Sequence, residues 1–130
     1  MGYRSDVRCA IYGTKEIIET IKAAEKLKDE GDVLELFKEY ITEWDTPTGD
    51  AYLYLKYDDV KWYDSYEDVI AWTKFMDSII ELIGDDDTNV GDLCMEFVRI
   101  GEENGDIDED YYGNANYHLR AVTSIDSEIG

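Results

Sequence analysis

The sequence predicts an α+β fold in one domain, residues 1–130: an antiparallel sheet of four to five strands with two or three helices packed on one face. Three observations predict it. Stretches of strand length and strand chemistry are interspersed with amphipathic helical runs. No Ser/Gly linker, repeat or low-complexity tract divides the chain. The composition, 44% hydrophobic and 13% aromatic with one Pro, supplies a core despite a net charge of −20. Helices segregated to one face of an antiparallel sheet bury the apolar stripes of both.

The elements follow in order. Val7 to Tyr12 is short, β-prone and bounded by Gly13, which reads as a strand. Thr14 then offers an N-cap, and Ile17, Ile18, Ile21, Ala24 and Leu27 recur at helical spacing until Gly31. A second helix starts at Asp32, with Glu35 at the capping-box position and Val33, Leu36 and Phe37 on one face. Its end is open, because Tyr40 to Trp44 fits either a continued helix or a strand that hairpins through Pro47 and Gly49. Tyr52 to Tyr57 is an aromatic-rich strand ending at Asp58 and Asp59. Ser65 caps the clearest helix, whose face is Val69, Trp72, Met76, Ile79, Ile80 and Ile83 and whose stop is Gly84. Two last strands, Leu93 to Gly101 and Tyr117 to Ser124, flank an acidic connection from Glu102 to Asn116.

The charge is uneven. Residues 1–56 carry −4, residues 57–119 carry −15 and the last 11 carry −1. Two clusters dominate: Asp85, Asp86 and Asp87, and then Glu102, Glu103, Asp106, Asp108, Glu109 and Asp110. Such a surface repels polyanions, which excludes direct nucleic-acid binding and adhesion to anionic membranes. No apolar run approaches the roughly 18 residues of a membrane span and the first residues have no signal-peptide core, so a cytoplasmic protein is expected. Duplex DNA carries one charge per ~1.7 Å, so twenty charges match ~34 Å of duplex. A domain of this length, with a radius of gyration of about 14 Å, has a similar diameter. Carboxylates standing in for phosphates, a DNA mimic, are one reading of that density; an acidic coat serving only solubility is the other.

Other chemistry finds little support. Asp85, Asp87, Asn89 and Glu96 fall at EF-hand positions 1, 3, 5 and 12, but Val90 occupies the turn-glycine position. The run from Asp106 fails at Tyr111 and Tyr117, so no metal and no cofactor are expected. His118 is the single histidine, Cys9 and Cys94 read as buried free thiols in strands, and no phosphate-loop, dinucleotide or hydrolase motif occurs; a non-enzyme is expected. Aromatics beside acids fit a protein-binding surface, with Tyr66, Tyr111 and Tyr112 as packed contacts.

Three stretches carry a resemblance: Met1-Gly2-Tyr3-Arg4-Ser5-Asp6-Val7, Val60-Lys61-Trp62-Tyr63-Asp64-Ser65-Tyr66, and Phe97-Val98-Arg99-Ile100-Gly101-Glu102 with Asp106-Ile107-Asp108-Glu109. With these the chain resembles a family of small, uncharacterised accessory proteins of tailed bacteriophages. The resemblance implies a phage product acting in the host bacterial cytoplasm and brings no activity with it.

The leading expectation is therefore an acidic phage protein that binds and inhibits a host nucleic-acid-binding defence protein, of anti-restriction or anti-CRISPR type. Both acidic clusters would serve as its phosphate mimics. The alternatives are a small ligand- or metal-binding module built on Lys61, Asp64 and Arg99, and a phage structural or assembly protein. A homodimer is compatible with each.

Overall fold

Strand β1, Ser5–Thr14, is the centre of the sheet because its residues are almost all buried, which only a strand covered on both faces achieves. The computed structural model describes residues 3–84, 89, 91–103, 105–114, 118–121 and 125–127. In chain order the elements are β1; helix α1, Lys15–Lys26; the one-turn helix α2, Val33–Leu36; a 3₁₀ turn, Lys38–Tyr40; β2, Ile41–Asp45; β3, Asp50–Val60; α3, Glu67–Ile83; β4, Cys94–Gly101; β5, Ile107–Tyr112; β6, Leu119–Ala121; and β7, Ile125–Ser127. The main sheet is antiparallel with strand order β2-β3-β1-β4-β5, and β6 pairs with β7 separately. The fold is the expected one: a five-stranded antiparallel sheet with three helices in a single α+β unit.

Register divides the side chains between two faces. Cys9 opposes Leu55 and Phe97, and Ile11 opposes Leu53 and Met95; these face the helices and meet Ile18, Ile21, Trp72, Phe75 and Ile79 in the main core. On the other face Ala10, Tyr12, Tyr54, Cys94 and Val98 pack under Leu119 of β6 and Ile125 of β7. The two cysteines are thus buried on opposite sides of the sheet and free, and burial raises both thiol pKa values.

Local chemistry sets the helices. The Thr14 side chain accepts from the Ile17 amide and starts α1, which ends at Lys26, before the expected stop. Leu27 therefore leaves the buried face and is 84% exposed. Asp32 caps α2 through the Leu34 amide, but that helix is one turn long, and the strand-hairpin reading of Tyr40 to Trp44 is the one realised. Ser65 does not cap α3: Tyr66 occupies the cap, and Glu67 and Asp68 in the first turn favour the positive helix end. Phe75 takes the buried place assigned to Met76, which lies half-buried beside it.

Two corrections concern the C-terminal third. The acidic segment is not a connection, because residues 107–112 pair with β4 as the edge strand β5. The last strand, expected over Tyr117 to Ser124, is described as β6 alone, which pairs with a further, unexpected short strand, β7; Tyr117 and residues 122–124 lie outside the described residues. Alternation in β5 is hidden because an edge strand has solvent on both faces of most residues and needs no apolar period.

Candidate partner-binding edge and cleft

The sheet separates the charges. Near edge strand β2 and the helices beside it, lysines pair locally: Lys15 with Asp45 at 3.5 Å, Lys22 with Glu43 at 2.7 Å and Lys38 with Glu35 at 2.9 Å. At the opposite edge, residues 102–112 contain six acids and no base. Along β5, Asp108 and Asp110 point to the helical face and Glu109 to the other, by register with Arg99, Phe97 and Val98. A strand rises about 3.4 Å per residue. Consecutive acids on it are therefore spaced, along the strand axis, like the phosphates of one strand of duplex DNA, also about 3.4 Å apart along its axis.

Not all six carboxylates are available. Arg99, on β4, projects toward the helical face and is consumed by neighbours: Nε donates to Asp108 at 2.7 Å, Nη2 to Asp106 at 2.7 Å, and Nη1 to Ser5 Oγ at 3.1 Å. The bonds to Asp106 and Asp108 raise the Arg99 pKa further and hold the Asp106 carboxyl below its ordinary value. Glu102 accepts from the Arg4 amide at 2.7 Å, and a Glu109 carboxylate oxygen lies 3.0 Å from the Tyr111 hydroxyl. Glu103 and Asp110 make no ion pair among the described residues. Asp85, Asp86 and Asp87 lie outside the described residues.

The three stretches singled out in the sequence, distant along the chain, meet beside this edge. The Tyr3 amide donates to the Tyr63 hydroxyl at 2.5 Å; the Tyr3 hydroxyl donates to Asp106 at 2.5 Å and accepts from the Glu103 amide at 2.8 Å. Partial burial, then the bond to Asp106, raises the Tyr3 pKa. Gly101 makes room for this crossing, since a Cβ there would run into the Asp106 carboxylate and the Tyr3 ring. A bulge where β3 meets β1 turns the chain toward Trp62. Asp59 there has φ 55°, its amide bonds Asp6 at 2.9 Å, and Arg8 pairs with Asp58.

Between β4, β5 and α3 these contacts leave a cleft of about 460 Å³, within the roughly 300–1,000 Å³ typical of ligand pockets. Its walls are the rings of Tyr3, Trp62, Tyr63 and Phe97, with Thr73 and Met76 of α3 at one side. Trp62 is half-buried and packs near Phe97 and Tyr57. Asp64 and Asp110 also line it, as do the Arg99-bound Asp106 and Asp108.

Of the sequence candidates, Asp64 and Arg99 come to one cleft, whereas Lys61 is exposed and outside its lining. Tyr66 stands 40% exposed at the start of α3, edge-on to Tyr63. Tyr111 and Tyr112 are neighbours in β5 and so project to opposite faces. Tyr112 packs against the main core, and the Tyr111 hydroxyl donates to the Leu119 carbonyl at 2.7 Å. Phe97, Thr73 and Met76 were not singled out as site residues, since a helix residue facing a strand across space leaves no local pattern.

Of the EF-hand positions, Glu96 and Asn89 take other roles, and Asp85 and Asp87 lie outside the described residues. Glu96 is fully buried on the second sheet face, accepting from the Tyr12 hydroxyl at 2.5 Å and the Leu119 amide at 3.0 Å, and Asn89 bonds both polar groups of the Leu93 backbone. Among the described residues no His, Cys, Asp or Glu group has the geometry to hold a metal, and no helix is long and apolar enough to cross a membrane. No family model, no curated protein and no solved structure matches the chain.

Proposed function

We propose that this chain is a non-enzymatic binding protein whose β5 edge engages the basic groove of a nucleic-acid-binding partner, acting as a DNA mimic. In the setting the resemblance implies, that partner is a host defence protein of restriction or CRISPR type, met in the bacterial cytoplasm. The observation that carries the reading is charge segregation: residues 102–112 hold six acids and no base, and although Arg99 of β4 pairs two of them, Glu103 and Asp110 make no ion pair among the described residues, against locally paired lysines at the other edge. An acidic coat serving solubility alone gives no reason for six acids and no base to fall within residues 102–112. Complementary fields of this kind speed encounter and make it salt-dependent. A binding role also suits the chemistry at the edge, because Asp106 is held deprotonated by Arg99 and is poorly placed to act as a general acid.

The test is capture from bacterial lysate by the wild-type chain and by a variant carrying Glu103→Gln, Glu109→Gln and Asp110→Asn. The expected result is a nucleic-acid-binding protein retained at low salt, released at high salt and lost with the variant. Retention that ignores both salt and the three substitutions overturns the reading.

A further inference from the structure

We infer that the aromatic cleft beside β5 seats an arginine side chain of the basic partner, making it the anchor point of an otherwise diffuse electrostatic contact. This rests on the proposed function for the source of the arginine. The cleft itself is read from its walls.

Four aromatic rings, Tyr3, Trp62, Tyr63 and Phe97, line a concavity open to solvent. A purely apolar occupant fits badly, because Asp64 and Asp110 at the same walls would lose water without gaining a partner. An anion is repelled, since the one base of the lining, Arg99, is already bonded to Asp106, Asp108 and Ser5. Arg99 thus offsets part of the charge of its two carboxylates and leaves Asp64 and Asp110, both exposed and without an ion pair among the described residues, to set the sign of the cleft. Aromatic faces together with uncompensated carboxylates are complementary to a cation that is flat and weakly hydrated. A guanidinium meets that description better than an ammonium: it stacks on rings through its face and presents a fork of donors to carboxylates at its edge. Position agrees, because Asp110 belongs both to the cleft and to the acidic strand. A partner lying along β5 brings its basic side chains to the cleft mouth.

Titration of the ¹⁵N-labelled protein with N-acetyl-arginine amide tests this, with N-acetyl-citrulline amide as the uncharged isostere and Trp62→Phe to assign the indole signal. Three tryptophans report separately: Trp62 in the cleft, Trp72 buried in the main core and Trp44 on the far sheet face. The expected result is a saturable shift of the Trp62 indole N–H with arginine amide at millimolar concentration, no comparable shift of the other two, and little response to citrulline amide. The double variant Asp64→Asn/Asp110→Asn, with the rest of its spectrum unchanged, should weaken the arginine response about tenfold, the scale of one charge-assisted hydrogen bond. Equal shifts with citrulline, or a double variant that binds like wild type, overturn the inference. Retention of a basic partner without a Trp62 response would sink the anchor and leave the edge reading intact. A Trp62 response without salt-sensitive capture would do the reverse.

Discussion

Two side chains separate the structural acids from the rest. Glu96 is fully buried and satisfies two donors from different elements, the Tyr12 hydroxyl and the Leu119 amide. Glu96→Ala removes the side-chain acceptor of the buried Leu119 amide and of the Tyr12 hydroxyl, and a buried donor left unmet costs about 1–3 kcal/mol, so a clear drop in urea-denaturation stability is expected. Glu96→Gln, which keeps an acceptor, should cost less. Asp106 has a different dependence. Arg99 and Tyr3 hold its carboxyl below the ordinary value of about 3.9. Its contribution is therefore complete above that value and is lost as pH falls through the depressed one. Asp106→Asn should lower the urea midpoint at neutral pH, with the gap to wild type closing as pH is taken from 5 down to 2; a gap independent of pH contradicts the ion-pair assignment.

At the scale of elements, β5 carries two jobs. It completes the sheet beside β4, and its carboxylates keep an exposed edge from pairing with another chain. Replacing Glu109 and Asp110 by Thr raises strand propensity and removes that repulsion. The variant is expected to self-associate in light scattering at concentrations where wild type does not. Elements with a strong local signal were legible in the sequence: β1, α1 with its Thr14 cap, α3 with its Gly84 stop, and β4. Those that tertiary contact decides were not. Acids at three of its six positions hide β5, α2 is a single turn, and β6 is fixed by Glu96 and Tyr111 side chains reaching the Leu119 backbone. Asp64 and Arg99 were legible as candidates because they lie in unusual stretches. That Arg99 is already spent on Asp106 and Asp108 follows only from the β4–β5 register.

For the whole molecule, a net charge of −20 is informative through its placement. The core, two-sided around β1, fixes a sheet whose edges differ: lysines and acids interleave near β2, whereas β5 contributes acids and no base of its own, with Arg99 of β4 bound to Asp106 and Asp108. The aromatic cleft lies where the acidic edge meets α3, so the acidic strand and the proposed anchor fall on the same side. Competition between this protein and duplex DNA for the captured partner tests that account most directly. The account predicts mutual exclusion, with an affinity for the protein that falls steeply with added salt and is weakened by Glu103→Gln/Glu109→Gln/Asp110→Asn. A ternary complex in which the partner holds DNA and this protein together would contradict it.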